Sequence, residues 1–404
     1  MSYPTSRVNI SRENKNNAFG KDTKMDSIFA AAPPMGWNSW NTFFDKYDEN
    51  TIIQVADAMV TGGFLDCGYN YLIIDDCWME KERDANGDLV PSREKFPNGI
   101  EHVIDYVHSK GLRFGIYECC GVRTCAGYPG SFEHELQDAR LFAKWGVDYL
   151  KYDNCFKPAA QTSDMLYRRM GYALRNTDRE IFYAACQWGK DNVEKWIRST
   201  GANSYRMAID IRDNWNSVRY TVSKRLEHLE DGARGCFSDM DMLVVGMKGS
   251  SYNPETGAEG CTDAEYRSHF ALWSLLASPL IIGCDIRNID ERSKALLQNR
   301  HLIAINQDPE SRACFKLTCD ESPGTFALVR PLSDGSCAVG VFNFGDEAMK
   351  CVFAFWDIGL SAAAGHGVSM FNCLTGEDEG IRAECFGTKL DPHDCVVYRL
   401  KPLM

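Results

Sequence analysis

The sequence predicts an α/β protein, a (β/α)8 TIM barrel followed by a C-terminal antiparallel β-sandwich domain. Three observations lead to this prediction. Apolar runs of strand length alternate with amphipathic helical stretches through most of the 404 residues. Polar and aromatic residues collect at the C-terminal ends of these runs. After about Arg312 the helical period disappears, and apolar and polar residues alternate instead.

Eight apolar runs supply the barrel strands, and helix-like stretches such as GIEHVIDYVHSKG and DAEYRSHFALWSLLAS lie between them. A doubly wound sheet would also explain the alternation. The barrel is favoured because barrel enzymes carry their active sites on the loops after the C-terminal strand ends, where the polar residues of this chain collect. The predicted strands are Pro34–Trp40, Tyr71–Trp78, Arg113–Cys120, Asp148–Cys155, Ile181–Gly189, Ser204–Asp210, Asp241–Gly246 and Pro279–Asp285.

The remainder of the chain predicts a smaller all-β domain and a short leading segment. Runs such as FALVRPLSDGSCAVGVFNFG and DCVVYRLKPL alternate apolar and polar residues around turn signals such as Ser-Asp-Gly. Before the barrel, a polar N-terminal segment predicts a flexible lead-in. The predicted domains are therefore residues 1–30 for the lead-in, 31–311 for the catalytic barrel and 312–404 for the β-sandwich.

Composition and charge argue against several classes of function. The formal net charge of -12, without any Lys/Arg-rich block, argues against a nucleic-acid partner. No apolar run has the length of a membrane helix or a signal-peptide core, so we expect a cytoplasmic protein without a membrane partner. The 17 cysteines are odd in number and scattered, which favours reduced thiols. Since there is neither a CxxC pair nor a matching histidine cluster, we expect no metal and no cofactor.

Carboxylate, amide and guanidinium groups lie at the ends of most predicted strands. A single polar strand end is ordinary, because loops are exposed to solvent, but polar groups at most strand ends indicate a functional site. If the barrel is right, most of these groups converge at one mouth. Glycoside hydrolysis suits such a set, because it needs two carboxyl groups, polar groups for sugar hydroxyls and an aromatic face for the ring. The expected partner is therefore a small-molecule carbohydrate. The residues are Asp75 and Asp76 in strand two, Lys151 and Asp153 in strand four, Gln187 and Trp188 in strand five, Arg206 and Asp210 in strand six, Asp239 and Asp241 at the start of strand seven, and the aromatic Trp40 and Tyr117.

These residues lie within strings that resemble glycoside hydrolase family 27, best known for α-galactosidases and α-N-acetylgalactosaminidases. The resemblance extends from about Pro33 to the C-terminus, and the order and spacing of the strings make it specific. It implies a retaining enzyme with a (β/α)8 barrel and a C-terminal β-sandwich, the fold that the periodicity predicts independently. The strings include PPMGWNSWN, LIIDDCW, GVRTCAGYPGS, WGVDYLKYDNC, CQWG, RMAID, DMDML and ASPLIIGCDI.

The resemblance implies a role for each matching residue. Asp153 would be the nucleophile and Asp210 the general acid/base of an exo-glycosidase that releases terminal α-linked galactose through a covalent glycosyl-enzyme intermediate. Lys151 would lower the pKa of Asp153, and Asp210 would stay protonated until it acts. Tyr117 would orient the nucleophile, and Cys125 would form a disulfide with Cys155. The implied sugar-binding residues are Trp40 on the ring, Asp75 and Asp76 at the C4 and C6 hydroxyls, Lys151 and Arg206 at the remaining hydroxyls, Gln187 at C2, and Tyr117, Cys125, Trp188, Asp241 and Met242 around them.

Departures from the family pattern bear on the substrate. Gln187 stands where relatives often carry glutamate, and an amide that can bind a 2-hydroxyl favours galactose over N-acetylgalactosamine. α-N-acetylgalactosaminides, β-L-arabinopyranosides and isomaltose-type dextrans are alternative substrates for the same fold and mechanism, with Asp75 expected to sense the C6 hydroxyl. A barrel that binds sugar without hydrolysing it is a further alternative, since a fold alone does not establish catalysis. The sequence leaves open a homo-oligomer and the oxidation state of Cys125 and Cys155.

Overall fold

The computed structural model describes residues 29–254, 258–318, 324–360 and 367–403, so the lead-in predicted for residues 1–30 lies almost entirely outside the described residues. In the described part of the chain, eight strands pair in parallel and in sequence order, and the eighth returns to pair with the first. The predicted barrel is confirmed. Its strands are β1 (Met35–Asn38), β2 (Tyr71–Ile73), β3 (Arg113–Cys119), β4 (Tyr149–Asp153), β5 (Phe182–Cys186), β6 (Ser204–Arg206), β7 (Phe237–Asp239) and β8 (Leu280–Ile282).

The gap between β7 and β8 is closed by residues that follow β7 rather than by β7 itself. The backbone N–H of Leu243 donates to the carbonyl of Ile281 at 2.7 Å, and the carbonyl of Leu243 accepts from Gly283 at 2.9 Å. The prediction of strand seven at residues 241–246 is therefore wrong, because that apolar run is buried as a loop against β8. Asp239 ends β7, whereas the sequence analysis placed it at the start of the strand.

Apart from β7, which lies before its predicted run, each barrel strand is shorter than the run that predicts it, mainly because the last residues of the run belong to the loop after the strand. Trp40, for example, begins a short helix instead of ending β1. The stretch that follows β8 forms two helices instead of one, because the Asn299 side chain accepts from two backbone N–H groups and starts the second. The described helices include α1 (Trp40–Phe43), α2 (Glu49–Thr61), α3 (Ile100–Ser109), α4 (Glu135–Trp145), α5 (Ser163–Arg175), α6 (Val193–Trp196), α7 (Trp215–Leu226), α8 (Asp263–Leu275), α9 (Glu291–Leu297) and α10 (Arg300–Asn306).

The longer helices turn an apolar face toward the strands, as α3 illustrates. Its buried residues Ile100, Val103, Ile104 and Val107 recur at intervals of three and four, so they lie on one face of the helix. This face packs against the barrel, and the opposite face exposes charged residues to solvent. Among the helices that the structure describes, none combines the length and the apolar composition that crossing a membrane requires.

The C-terminal strands form the predicted antiparallel β-sandwich. They are β9 (Phe315–Thr318), β10 (Thr325–Pro331), β11 (Cys337–Asn343), β12 (Met349–Ala354), β13 (Val368–Asn372), β14 (Glu377–Arg382), β15 (Cys385–Leu390) and β16 (Cys395–Pro402). In the described residues, one sheet has the order β14-β13-β16-β11-β10-β9, and β12 pairs with β15. Helix α8 packs against this domain, and Arg267 of α8 pairs with Asp394 at 2.7 Å. The domain boundary at residues 311 and 312 stays a prediction.

Strand β4 determines which residues reach the barrel mouth. Successive side chains of a strand point to opposite faces. Tyr152 packs outward on helix α5, so Lys151 and Asp153 on either side of it point into the barrel. The neighbouring strands are in register with them: Tyr117 of β3 lies beside Lys151, and Cys186 of β5 lies beside Asp153. The alternation of one strand thus brings a lysine and a carboxylate to the same mouth.

Candidate active site

Asp153 lies at the end of β4, where only 5% of the residue is exposed. Its Oδ2 accepts a hydrogen bond from the Tyr117 hydroxyl at 3.0 Å, and its Oδ1 accepts from the backbone N–H of Asn154 at 2.8 Å. Both carboxylate oxygens are therefore fixed by neighbours that donate to them. The Tyr117 contact is the one that an orienting residue would make.

Lys151 and Asp75 form a buried ion pair beside Asp153. The Lys151 Nζ lies 2.7 Å from Asp75 Oδ2, and the same oxygen accepts from Asn38 Nδ2 at 2.7 Å. The ammonium lies 6.0 Å from the centre of the Trp40 ring, so the predicted ring-packing residue is close to the cluster. Residues from the C-terminal ends of β1, β2 and β4 thus meet at the Asp75 carboxylate.

Asp76 fixes the loop that follows β3. Its Oδ2 accepts from the backbone N–H of Ala126 at 2.9 Å, and its Oδ1 accepts from that of Cys77 at 2.7 Å. The residue is fully buried. These contacts position the loop, and the predicted contact of Asp76 with a sugar hydroxyl stays a prediction.

The loop after β3 lies directly on the loop after β4. A Cβ atom at Gly121 would be 2.0 Å from the carbonyl oxygen of Cys155, so this close approach requires glycine. Cys125 and Cys155 are joined as a disulfide, with Cα atoms 5.3 Å apart, a separation that suits such a bond. The Cys125 Sγ lies 3.5 Å from Asp153 Oδ2. The pairing implied by the family resemblance is therefore present and forms one wall of the site.

Only one group of side chains in the described residues is close enough to hold a metal ion, and it consists of Cys125, Asp153 and Cys155. A metal would need the cysteines as thiolates. Since the two sulfurs are bonded to each other, neither supplies that ligand.

Thiol titration of the denatured, unreduced protein is expected to find at least two thiols fewer than the 17 cysteines, because the disulfide between Cys125 and Cys155 removes two. Reduction before denaturation should raise the number to 17. The Cys155→Ser variant is the matched control, and reduction should expose two thiols fewer in it than in the wild-type protein, since Cys125 loses its partner. Seventeen thiols in the unreduced wild-type protein would contradict the pairing.

Arg206 is a buried cation that holds two carboxylates of the mouth. Its Nη2 lies 2.8 Å from Asp210 Oδ1, and its Nη1 lies 2.8 Å from Asp241 Oδ1. Nη1 is also 3.6 Å from the Sγ of Cys186. The Asp210 side chain is 44% exposed, whereas Arg206 and Asp241 are enclosed. Asp210 is therefore the carboxylate of this group that faces the solvent at the mouth.

The two candidate catalytic carboxyl groups have pKa shifts opposite to those expected from the sequence. Burial raises the pKa of Asp153 to about 7, although Lys151 opposes the shift. Burial would raise the pKa of Asp210 too, but Arg206 outweighs it and holds that pKa below its usual value. In the ligand-free protein, burial thus favours a proton on Asp153, and Arg206 disfavours one on Asp210. The reason is that Lys151 shares its charge with Asp75, whereas Asp210 lies beside a guanidinium.

Three further predicted site residues, Gln187, Trp188 and Met242, have no defined contact with Asp153 or Asp210. Gln187 is fully buried, and its Nε2 donates to Asp191 Oδ2 at 3.2 Å. Trp188 is partly exposed, and the Lys190 ammonium lies 4.7 Å from its ring centre. Met242 is buried in the loop after β7. Their contacts with a sugar stay predictions.

Sequence reasoning missed two residues of this cluster, Asn38 and Cys186. Asn38 ends β1 inside the string PPMGWNSWN, and a buried amide at a strand end is the same signal that identified the carboxylates. Cys186 lies within the predicted strand five, but the sequence gives it no role in the site. Cys186 pairs with Asp153 in the register of β5 and β4, and its Sγ lies beside Arg206. Sequence periodicity does not give the register of two strands.

Comparison with known proteins places the chain in a family. A family model described as Alpha galactosidase A matches residues 32–308, and one described as Alpha galactosidase C-terminal beta sandwich domain matches residues 325–400. The chain is 40% identical to Alpha-galactosidase 3 of Arabidopsis thaliana, over 94% of this chain and 84% of the relative. Among solved structures, it is similar to α-galactosidase I from Mortierella vinacea, with 30% identity, a TM-score of 0.84, and coverage of 92% of this chain and 97% of the other. The α-galactosidase of Saccharomyces cerevisiae is 28% identical with a TM-score of 0.82, and the match covers 93% and 98% of the two chains.

The first family model spans well over half of the chain, including all eight barrel strands in the described residues. The second covers strands of the β-sandwich. The chain belongs to glycoside hydrolase family 27, the α-galactosidase (melibiase) family.

Proposed function

We propose that the protein is a retaining exo-α-galactosidase, which hydrolyses terminal α-linked galactose from oligosaccharides or glycoconjugates. The observation that carries this proposal is the convergence of Asp153 and Asp210 at one barrel mouth, each beside a buried cation, Lys151 or Arg206. Two carboxyl groups with different environments are what glycoside hydrolysis requires. The names of the relatives support galactose as the sugar.

In the first step, an Asp153 oxygen forms a bond to C1 of galactose. The bond between C1 and the glycosidic oxygen breaks, and its electron pair goes to that oxygen, which takes a proton from Asp210. In the second step, water attacks C1 and gives its proton to the Asp210 carboxylate. The C1–Asp153 ester bond breaks, and its electrons return to the carboxylate. Two inversions at C1 leave the released galactose in the α configuration.

The proton must move between the carboxyl groups before the first step. In the ligand-free protein, burial favours the protonated form of Asp153, and Arg206 favours the ionised form of Asp210. The reactive form, with Asp153 ionised and Asp210 protonated, is therefore the less populated of the two singly protonated forms. A sugar that engages Arg206 would weaken its ion pair with Asp210 and shift the proton toward the reactive form.

A panel of 4-nitrophenyl glycosides tests the substrate. We expect kcat/KM for the α-galactoside to exceed that for the β-L-arabinopyranoside at least about tenfold, because the latter lacks the exocyclic group at C5 that Asp75 would contact. The α-N-acetylgalactosaminide and an isomaltosyl substrate should react more slowly still. The nitrophenolate absorbance measures each rate, and the Asp153→Asn variant controls for contaminating glycosidases. If another glycoside were cleaved faster than the α-galactoside, its sugar would be the preferred substrate and the galactose proposal would be wrong. Binding of galactose without any hydrolysis would favour a non-catalytic barrel.

A further inference from the structure

Asp241 uses both of its carboxylate oxygens on protein groups. Oδ1 pairs with Arg206 Nη1 at 2.8 Å, and Oδ2 accepts from the backbone N–H of Ile211 at 2.7 Å. The residue is 5% exposed. Ile211 directly follows Asp210 in the chain, so this one carboxylate holds the guanidinium that pairs with Asp210 and also the backbone that carries it.

The backbone of Asp241 is fixed just as firmly. Its N–H donates to Asp239 Oδ1 at 2.8 Å, and its carbonyl accepts from the Trp273 indole at 2.7 Å. Its φ of 75° is in the left-handed region, which costs energy for a residue other than glycine and which such contacts sustain. Both Asp241 carboxylate oxygens therefore already bind protein groups before a sugar enters the site.

We propose that Asp241 is a positioning residue for proton transfer, which sets the place and the charge environment of Asp210 instead of binding the sugar. The proposal rests on the proposed function, because it takes Asp210 as the acid/base. The step that it affects is the transfer of the Asp210 proton to the glycosidic oxygen as the bond to C1 breaks. The attack of Asp153 on C1 does not depend on it.

The charges around Asp210 give the direction of the expected change in pH dependence. Arg206 of β6 and Lys151 of β4 lower the pKa of Asp210. The negative groups that face it are Asp153 of β4, Cys186 of β5 when ionised, and Asp241 after β7. Loss of the Asp241 charge leaves Arg206 less neutralised, so the pKa of Asp210 should fall. Because the Asp153 pKa lies above that of Asp210, the acid limb of the pH profile of kcat/KM follows Asp210, and this limb should move to lower pH.

The test compares two substrates that differ in their need for a proton. Melibiose releases an alcohol, whose oxygen must be protonated as the bond breaks. α-Galactosyl fluoride releases fluoride, which leaves with the bonding electron pair and needs no proton. For Asp241→Asn, which keeps an acceptor for Ile211 N–H but removes the charge, we expect kcat/KM on melibiose to fall about tenfold. For Asp241→Ala, which removes both contacts, we expect a fall of about 10²-fold, within the range of a general acid's contribution. Both variants should keep kcat/KM on the fluoride, which reports the first step alone, within about threefold.

Asp138→Asn is the matched control. Asp138 is also a buried carboxylate paired with an arginine, Arg83, at 2.6 Å, but it lies on α4. This variant should show no selectivity between the two substrates. Equal losses for Asp241→Asn on melibiose and the fluoride, or no loss on either, would overturn the positioning role.

Failure of the proposed function would look different. Asp210→Asn should lose melibiose turnover and keep kcat/KM on the fluoride, although its kcat on the fluoride should fall because the second step needs Asp210 as a base, whereas Asp153→Asn should lose activity on both substrates. If the wild-type protein cleaved neither substrate, or if Asp210→Asn lost both equally, the acid/base assignment itself would fall. A defect in Asp241 variants alone, without the substrate difference, would overturn only the inference about Asp241.

Discussion

The Asp153→Asn variant is expected to lose turnover by at least about 10⁴-fold, because an amide oxygen cannot form the ester to C1. The fold should survive the change. The Asn oxygen can still accept from the backbone N–H of Asn154, and its amide can donate to the Tyr117 hydroxyl, which can reverse its role. Steady-state kinetics on an α-galactoside and the far-ultraviolet circular dichroism of the variant provide the measurements.

The same variant should gain stability relative to the wild type as the pH rises. The folded-state pKa of Asp153 is about 7, above its value in the unfolded chain, so the native protein holds a proton that the unfolded chain loses near pH 4. The contribution of Asp153 to stability is complete below its pKa in the unfolded chain, and it is lost as the pH rises through about 7, its pKa in the folded protein. Asparagine does not titrate, so by pH 8 its free energy of unfolding should exceed that of the wild type by up to about 4 kcal/mol.

Chemical rescue separates a missing nucleophile from a damaged site. The Asp153→Gly variant opens space at C1, and added azide should attack there to give β-galactosyl azide, a product of inverted configuration. Asp210→Asn is the matched control and should give no β-azide. Appreciable hydrolysis by Asp153→Asn, in protein free of wild-type enzyme, would contradict the nucleophile assignment.

The Lys151→Met variant should have the second-largest effect, on both activity and stability. It leaves the Asp75 carboxylate buried without its cation, and breaking such a pair typically costs about 3–5 kcal/mol. Because Lys151 also opposes the upward shift of the Asp153 pKa, that pKa should rise further. The basic limb of kcat/KM, which follows the higher of the two pKa values, should therefore move to higher pH, with a fall of about 10³-fold in kcat/KM near neutral pH, where the ionised nucleophile becomes scarce.

The double variant Lys151→Met/Asp75→Asn is the control for this prediction. Removing both charges avoids the unpaired carboxylate, so the free energy of unfolding should recover most of its loss. Activity should stay low, since neither the lysine nor the carboxylate returns. Recovery of activity along with stability would show that the single variant fails only because it is destabilised.

Periodicity was enough to predict the barrel and the sandwich, because burial imposes a regular spacing on the strands and helices. It failed at strand seven, where the run after Asp241 is apolar but is buried as a loop that closes the barrel through Leu243. Apolar composition reports burial, and it does not distinguish a strand from a loop that is enclosed by its neighbours.

The residues that form the site could be predicted from the strand ends and from the family resemblance. The ion pairs and pKa shifts of these residues could not. Spacing placed Lys151 beside Asp153 and suggested that it keeps that carboxylate ionised. The lysine instead pairs with Asp75, a residue 76 positions away, and burial dominates the pKa of Asp153. Arg206 and Asp210 have the spacing that predicts their pairing, yet the additional pairing with Asp241 crosses to another loop. Such contacts depend on the three-dimensional register of the strands.

The claim that Asp153 becomes covalently bonded to galactose is tested most directly by mass spectrometry with 5-fluoro-α-galactosyl fluoride. Its fluoride leaving group speeds formation of the intermediate, and the fluorine at C5 slows its hydrolysis, so the glycosyl-enzyme should accumulate. The account predicts one fluorogalactosyl group per chain, on the peptide that contains Asp153, and none on Asp153→Asn. A label on a different residue, or hydrolysis of α-galactosides with inversion and no label, would contradict it.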